Sequence, residues 1–171
     1  MRFRAVATGA TACALALGGC TPSDTANDPR QLPGITLSEF GGDARTDLST
    51  MRGPLVVNLW ASYCKPCREE MPILQEFHEA HGDEVAVVGI DYQDPQRENA
   101  QELVRETGVT YRLLADPLGD LNSADPFPNL MGLPFLALVD EDGDVVHMEY
   151  GEVDSLGKLE GLVSEHLDVD L

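Results

Sequence analysis

Two six-residue runs with almost no polar side chain constrain this chain more than any other feature. They are Leu55-Val56-Val57-Asn58-Leu59-Trp60 and Val85-Ala86-Val87-Val88-Gly89-Ile90. A strand with one wet face alternates apolar and polar residues, whereas a continuous apolar run fits a strand buried on both faces. Asn58 is the only polar member of the first run. Between the runs, the spacing predicts a helix from Cys64 to Ala80. Met71, Leu74, Phe77 and His81 fall on its apolar stripe, and Pro72 is expected to kink it.

The rest of the chain extends the same pattern. Ile35 to Leu37 reads as a short strand before a turn at Gly41-Gly42, and Leu48 to Arg52 as a helical turn ending at Gly53. Asp94-Pro95 has the signature of an N-cap with proline behind it, opening a helix that reaches Thr107 and stops at Gly108. Tyr111 to Ala115 is a third strand. Pro134 to Val139 and Asp144 to Tyr150 flank Glu141-Asp142-Gly143, a hairpin signal. Asp154 is expected to cap a last helix to about Leu167. Alternating strands and helices followed by a hairpin and a helix define one α/β layered domain.

Charge narrows the function. The 171 residues hold 11 Lys+Arg against 30 Asp+Glu, a formal net charge of −19, and only two lysines, Lys65 and Lys158. Nucleic-acid binding needs clustered basic residues, so that class is excluded. No stretch approaches the roughly 18 apolar residues that span a bilayer.

The amino terminus reads as an export signal. Arg2 and Arg4 precede a small apolar stretch from Ala5 to Leu17, and no acid appears before Asp24. Leu17-Gly18-Gly19-Cys20 resembles the lipobox of bacterial lipoproteins. That resemblance implies a signal over residues 1–19, lipidation of Cys20 and a lipid anchor on the outer face of the cell membrane. Cys13 leaves with the signal. So do Arg2 and Arg4, which takes the net charge from −19 to −21. Residues 20–33, the lipidated Cys20 and then TPSDTANDPRQLP, read as a flexible tether of about 20 Å, with the folded domain over 34–171.

The chemistry lies in Cys64-Lys65-Pro66-Cys67, which follows the first buried run and opens the first long helix. Unpaired N–H groups and a partial positive charge at a helix start favour thiolate over thiol. Lys65 adds to that field, and Pro66 stiffens a turn where its missing N–H is dispensable. Two cysteines three apart close a disulfide with little motion. Cys64 is the expected exposed attacking thiol, and Cys67, one turn in, the more buried resolving thiol. A structural staple is the poorer reading, because so short a loop removes little unfolded-state entropy. A zinc site with His78 and His81 is poorer too, since Cys67 and His78 lie about 16 Å apart along a continuous helix. No metal is expected.

The stretch from Val56 to Pro72, VVNLWASYCKPCREEMP, resembles the thioredoxin-like TlpA/ResA group, whose usual form is close to VVNFWASWCGPCREEMP. Val87 to Ile90, Leu114 to Pro117, Gly132-Leu133-Pro134 and Val139 to Gly143 extend the likeness over roughly residues 34 to 168. The resemblance implies a thioredoxin fold: a central mixed β-sheet with helices on both faces and an N-terminal β extension. It implies a monomeric extracytoplasmic thiol–disulfide oxidoreductase with a redox-active Cys64–Cys67 disulfide and no further cofactor. Its partners would be exported protein thiols and disulfides, including apocytochrome c, and a membrane electron donor of the DsbD/CcdA kind. Pro134 would be the cis-proline facing the pair, and Glu70 the acid that exchanges protons with the thiols. Trp60, Tyr63 and Leu133 would shape the substrate surface, while Lys65 and Pro66 tune the potential. Three departures stand out. Lys65 replaces the usual glycine and leans towards an oxidant. The Pro-rich segment from Ala124 to Leu130 replaces a helix. Phe135 replaces a threonine and is expected to add apolar surface. The competing readings are an oxidant of secreted thiols, a zinc- or copper-binding module and, more weakly, a thiol peroxidase.

Overall fold

The computed structural model describes residues 30–171. Cys13, Cys20, the signal and the first part of the tether lie outside the described residues. Ten elements follow in order: β1 (Thr36–Glu39), β2 (Arg45–Asp47), β3 (Leu55–Trp60), α1 (Lys65–His81), β4 (Ala86–Tyr92), α2 (Arg97–Thr107), β5 (Arg112–Asp116), β6 (Phe135–Val139), β7 (Val145–Tyr150) and α3 (Leu156–His166). A 3-10 turn at Leu48–Thr50 sits between β2 and β3.

The strands form one mixed sheet in the order β2-β1-β5-β4-β3-β6-β7. β3, β4 and β5 run parallel, and the remaining pairs are antiparallel. All six residues of β3 are buried, as its composition requires. Their side chains alternate between two cores. Val56 and Trp60 join one cluster with Met71, Phe77, Leu103 and Leu159 from the three helices. Leu55, Val57 and Leu59 join the other with Leu32, Leu48, Leu121 and Phe127.

This division corrects the expectation of helices on both faces. All three helices share one core, and the opposite face is closed by irregular chain. The reason lies in the segment from Pro117 to Leu130, where Pro126 and Pro128 prevent a helix. The buried Asp116 carboxylate organises that segment instead, accepting from the Asp120 and Leu121 N–H groups at 2.8 and 3.0 Å.

Several boundaries also move. Residues 30–33, read from composition as tether, belong to the fold. Arg30 pairs with Asp144 at 3.0 Å, Gln31 bridges Asp144 and Leu32 enters the second core. The helix expected from Asp94 begins at Arg97, and its left-handed C-cap is Gly108 as expected. Ser155, not Asp154, is the N-cap of α3, with its hydroxyl turned onto the Asp154 carboxylate at 3.0 Å. Helix α1 continues through Pro72 to His81, which reaches Glu160 of α3 at 2.9 Å.

Candidate active site

Helix α1 starts just after the carboxyl end of β3, an inner strand of the sheet that lies between parallel β4 and antiparallel β6. Cys64 is the N-cap, and its sulfur accepts from the Cys67 N–H at 3.2 Å. The two cysteines are joined in a disulfide with Cα atoms 5.3 Å apart. Cys64 retains 7 % of its surface and Cys67 1 %. The expected order of exposure holds, but in the disulfide state Cys64 is itself nearly covered. The approach to it is a groove of about 350 Å³, walled by Tyr63 and Pro66, by Tyr92 and Gln93 at the end of β4, and by residues 130–133.

Pro134 follows a cis peptide bond from Leu133 and precedes β6, beside β3. Its carbonyl accepts from the Gly151 N–H at 3.2 Å. Tyr63 is exposed on the groove and Leu133 lines it, as expected of both. Trp60 departs from expectation. It is fully buried, tilted against Phe40 with ring centroids 5.7 Å apart, so it supports the site from beneath. Phe135 also points inward, packed edge-on to Tyr150 at 4.8 Å, and adds nothing to the surface. Both residues obey strand alternation in a sheet covered on two faces.

Lys65 reaches Glu69 at 2.9 Å, and this contact raises its pKa. The cation expected to act on the sulfurs is thus shared with a carboxylate one turn along, where solvent screens both.

Glu70 lies one turn beyond Cys67 on the buried face of α1, with 1 % of its surface exposed. Burial pushes its carboxyl up to about 7, while the Val153 backbone and the Asn58 amide pull the other way. Those two groups lie outside hydrogen-bonding geometry, and both carboxyl oxygens lack a partner among the described residues. Asn58 is the polar residue of the otherwise apolar β3 and points into the helical core. Tyr111, also buried, has its hydroxyl pKa raised by burial and then by Glu70. A cavity of about 170 Å³ opens beside Glu70 between Glu69, Ile73 and the Glu152–Asp154 loop.

A second acidic pair was missed in the sequence. Asp94, read as a helix cap, accepts instead from the Ser62 N–H at 2.6 Å, two residues before Cys64, and from the Gln96 N–H at 2.8 Å. Its neighbour Asp91, the last residue but one of β4, pairs with Trp60 across the sheet ladder, and its carboxyl is pushed up to about 7 by burial and by the Asp94 charge. The run IDYQD carried the signal, because an acid at the end of a buried strand must either find donors or hold its proton.

A helix-start disulfide, a cis-proline beside it and a buried acid below define a thiol–disulfide oxidoreductase on a thioredoxin-like fold. A family profile described as Redoxin matches residues 26–163, and the chain belongs to that family. The chain is 30% identical over 123 residues to the thioredoxin-like protein YneN of Bacillus subtilis, covering 71% of each protein. It is 34% identical over 121 residues to the thiol:disulfide interchange protein CycY of Rhizobium leguminosarum, covering 70% of this chain and 62% of the relative. Among solved structures, a secreted thiol-disulfide isomerase from Corynebacterium glutamicum has the same fold. It superposes with a TM-score of 0.69 at 24% identity, over 78% of this chain and 83% of that one.

Proposed function

We propose that this chain is an exported, lipid-anchored oxidoreductase that reduces disulfides of exported proteins, among them the Cys-x-x-Cys-His segment of apocytochromes before haem attachment. The observation that carries the reading is the Cys64–Cys67 disulfide at the start of α1 with the protonatable Glu70 one turn below. In the reduced protein the Cys64 thiolate attacks a substrate disulfide. A new S–S bond forms, and the departing substrate sulfur takes a proton from water. Cys67 then gives its proton to Glu70 and attacks the Cys64 sulfur, releasing the second substrate thiolate and leaving the protein oxidised. A membrane electron donor of the DsbD/CcdA kind returns two electrons. The chemistry needs no group beyond the disulfide. The substrate backbone pairs beside Pro134 as an added strand.

The Lys65–Glu69 contact favours the reducing direction, because it offsets the cation that leaned towards an oxidant. A reduction potential well below about −200 mV supports this reading, and one near −120 mV supports an oxidant. The decisive experiment is trapping. A Cys67→Ser chain expressed in its own host is expected to hold exported proteins as mixed disulfides on Cys64. Recovery of no such adduct, with Cys64→Ser as the blank, would remove the proposal.

A further inference from the structure

The cavity beside Glu70 is lined by Glu69, Glu152 and Asp154, and another, next to Asp91 and Asp94, also holds Arg45 and Arg97. The groove at Cys64 differs from both. Among the described residues no charged side chain lines it, although the chain carries a net charge of −19. Tyr63, Tyr92, Leu130 and Leu133 supply apolar walls, and Gln93 supplies one amide.

Met131 stands at the rim of this groove with 84 % of its surface exposed. A lone exposed apolar residue is ordinary. This one has its main chain pinned. The Tyr150 hydroxyl donates to the Asn129 carbonyl at 3.1 Å and accepts from the Met131 N–H at 3.4 Å. The Tyr150 ring is in turn fixed against the buried Phe135. A β7 side chain thus holds a loop that has no regular structure of its own.

We propose that the groove is a subsite for one large uncharged side chain flanking the target cysteine of a substrate protein, gripped by Met131, with Tyr150 as its positioning residue. The proposal rests on the oxidoreductase reading above. A charged side chain entering the groove loses hydration and meets no partner, which is unfavourable. An apolar one gains contact with four apolar walls, and the unbranched thioether of Met131 adapts to its shape.

The test uses peptides with one internal disulfide that differ only in the residue beside the first cysteine, Leu in one and Ser in the other. The unaltered chain is expected to favour the Leu peptide in kcat/KM by about tenfold, the scale of burying one leucine side chain. Met131→Ala is expected to bring that ratio below about threefold, chiefly through KM. Tyr150→Phe keeps the ring and loses the hydroxyl, and is expected to move the ratio the same way. A ratio near one in the unaltered chain, or one that survives both substitutions, overturns the proposal. If the unaltered chain exchanges with neither peptide nor with a small aromatic disulfide, the oxidoreductase reading falls and takes this proposal with it.

Discussion

Glu70 and Asp91 are both carboxyls whose native pKa lies near 7, against ordinary values of 4.5 and 3.8. A native pKa above the unfolded one means that the native state holds the proton more tightly. The stability this gives is complete below the unfolded pKa and is lost as pH rises through the native one. The protein is therefore expected to lose stability between about pH 4 and 8. Glu70→Gln removes one of the two contributions. The variant is expected to gain on the parent by up to roughly 3 kcal/mol at pH 8 and to match it at pH 4. Urea unfolding at both pH values checks this, and an unchanged pH slope would show that Glu70 is not the buried acid responsible. Asp94 makes a different prediction, because it accepts a bond from a buried N–H. Asp94→Ala strands the Ser62 N–H and is expected to cost about 1–3 kcal/mol. Asp94→Asn keeps an acceptor and is expected to recover most of that loss in a thermal melt.

Among the elements, β3, β4 and α1 were legible because each carries its evidence within its own residues. Continuous apolar runs give the two strands, and Met71, Leu74 and Phe77 mark the buried stripe of the helix. What the sequence hid was long-range. Asp94-Pro95 has the local form of a helix start, yet the Asp94 carboxylate is taken by Ser62, 32 residues earlier. Leu32 sits in a stretch whose composition reads as linker, and its burial goes with the pairing of residues 30–32 to the turn before β7, a long-range contact. The family resemblance points Trp60 and Phe135 to the surface around Cys64 and Pro134, but strand alternation turns both inward. The non-helical character of Ala124–Leu130 is legible in its two prolines, but not the part of Asp116, which organises the longer Pro117–Leu130 segment. In that segment Gly119 has φ +74°, and an added Cβ would meet the Gln93 side chain at 1.9 Å. Gly119→Ala is expected to cost about 1–2 kcal/mol of stability through the backbone alone. It also displaces Gln93 from the groove wall, so disulfide-exchange KM for peptides is expected to rise with it. A melt and a KM both unchanged would count against this account of the turn.

For the whole molecule, the two cores are closed by different means, and the second depends on chain outside the helices. Leu32→Ala opens that core at its least regular side and is expected to cost about 2–4 kcal/mol, read from urea midpoints. The N-terminal segment that carries Leu32 docks on the hairpin between β6 and β7, level with the Leu55 end of β3. The cysteines follow the Trp60 end, a strand length or about 20 Å away. Arg30 therefore stands at the base of the domain, with the reactive pair at its crown. A bulky folded client can meet Cys64 head-on, at the end of the domain opposite Arg30.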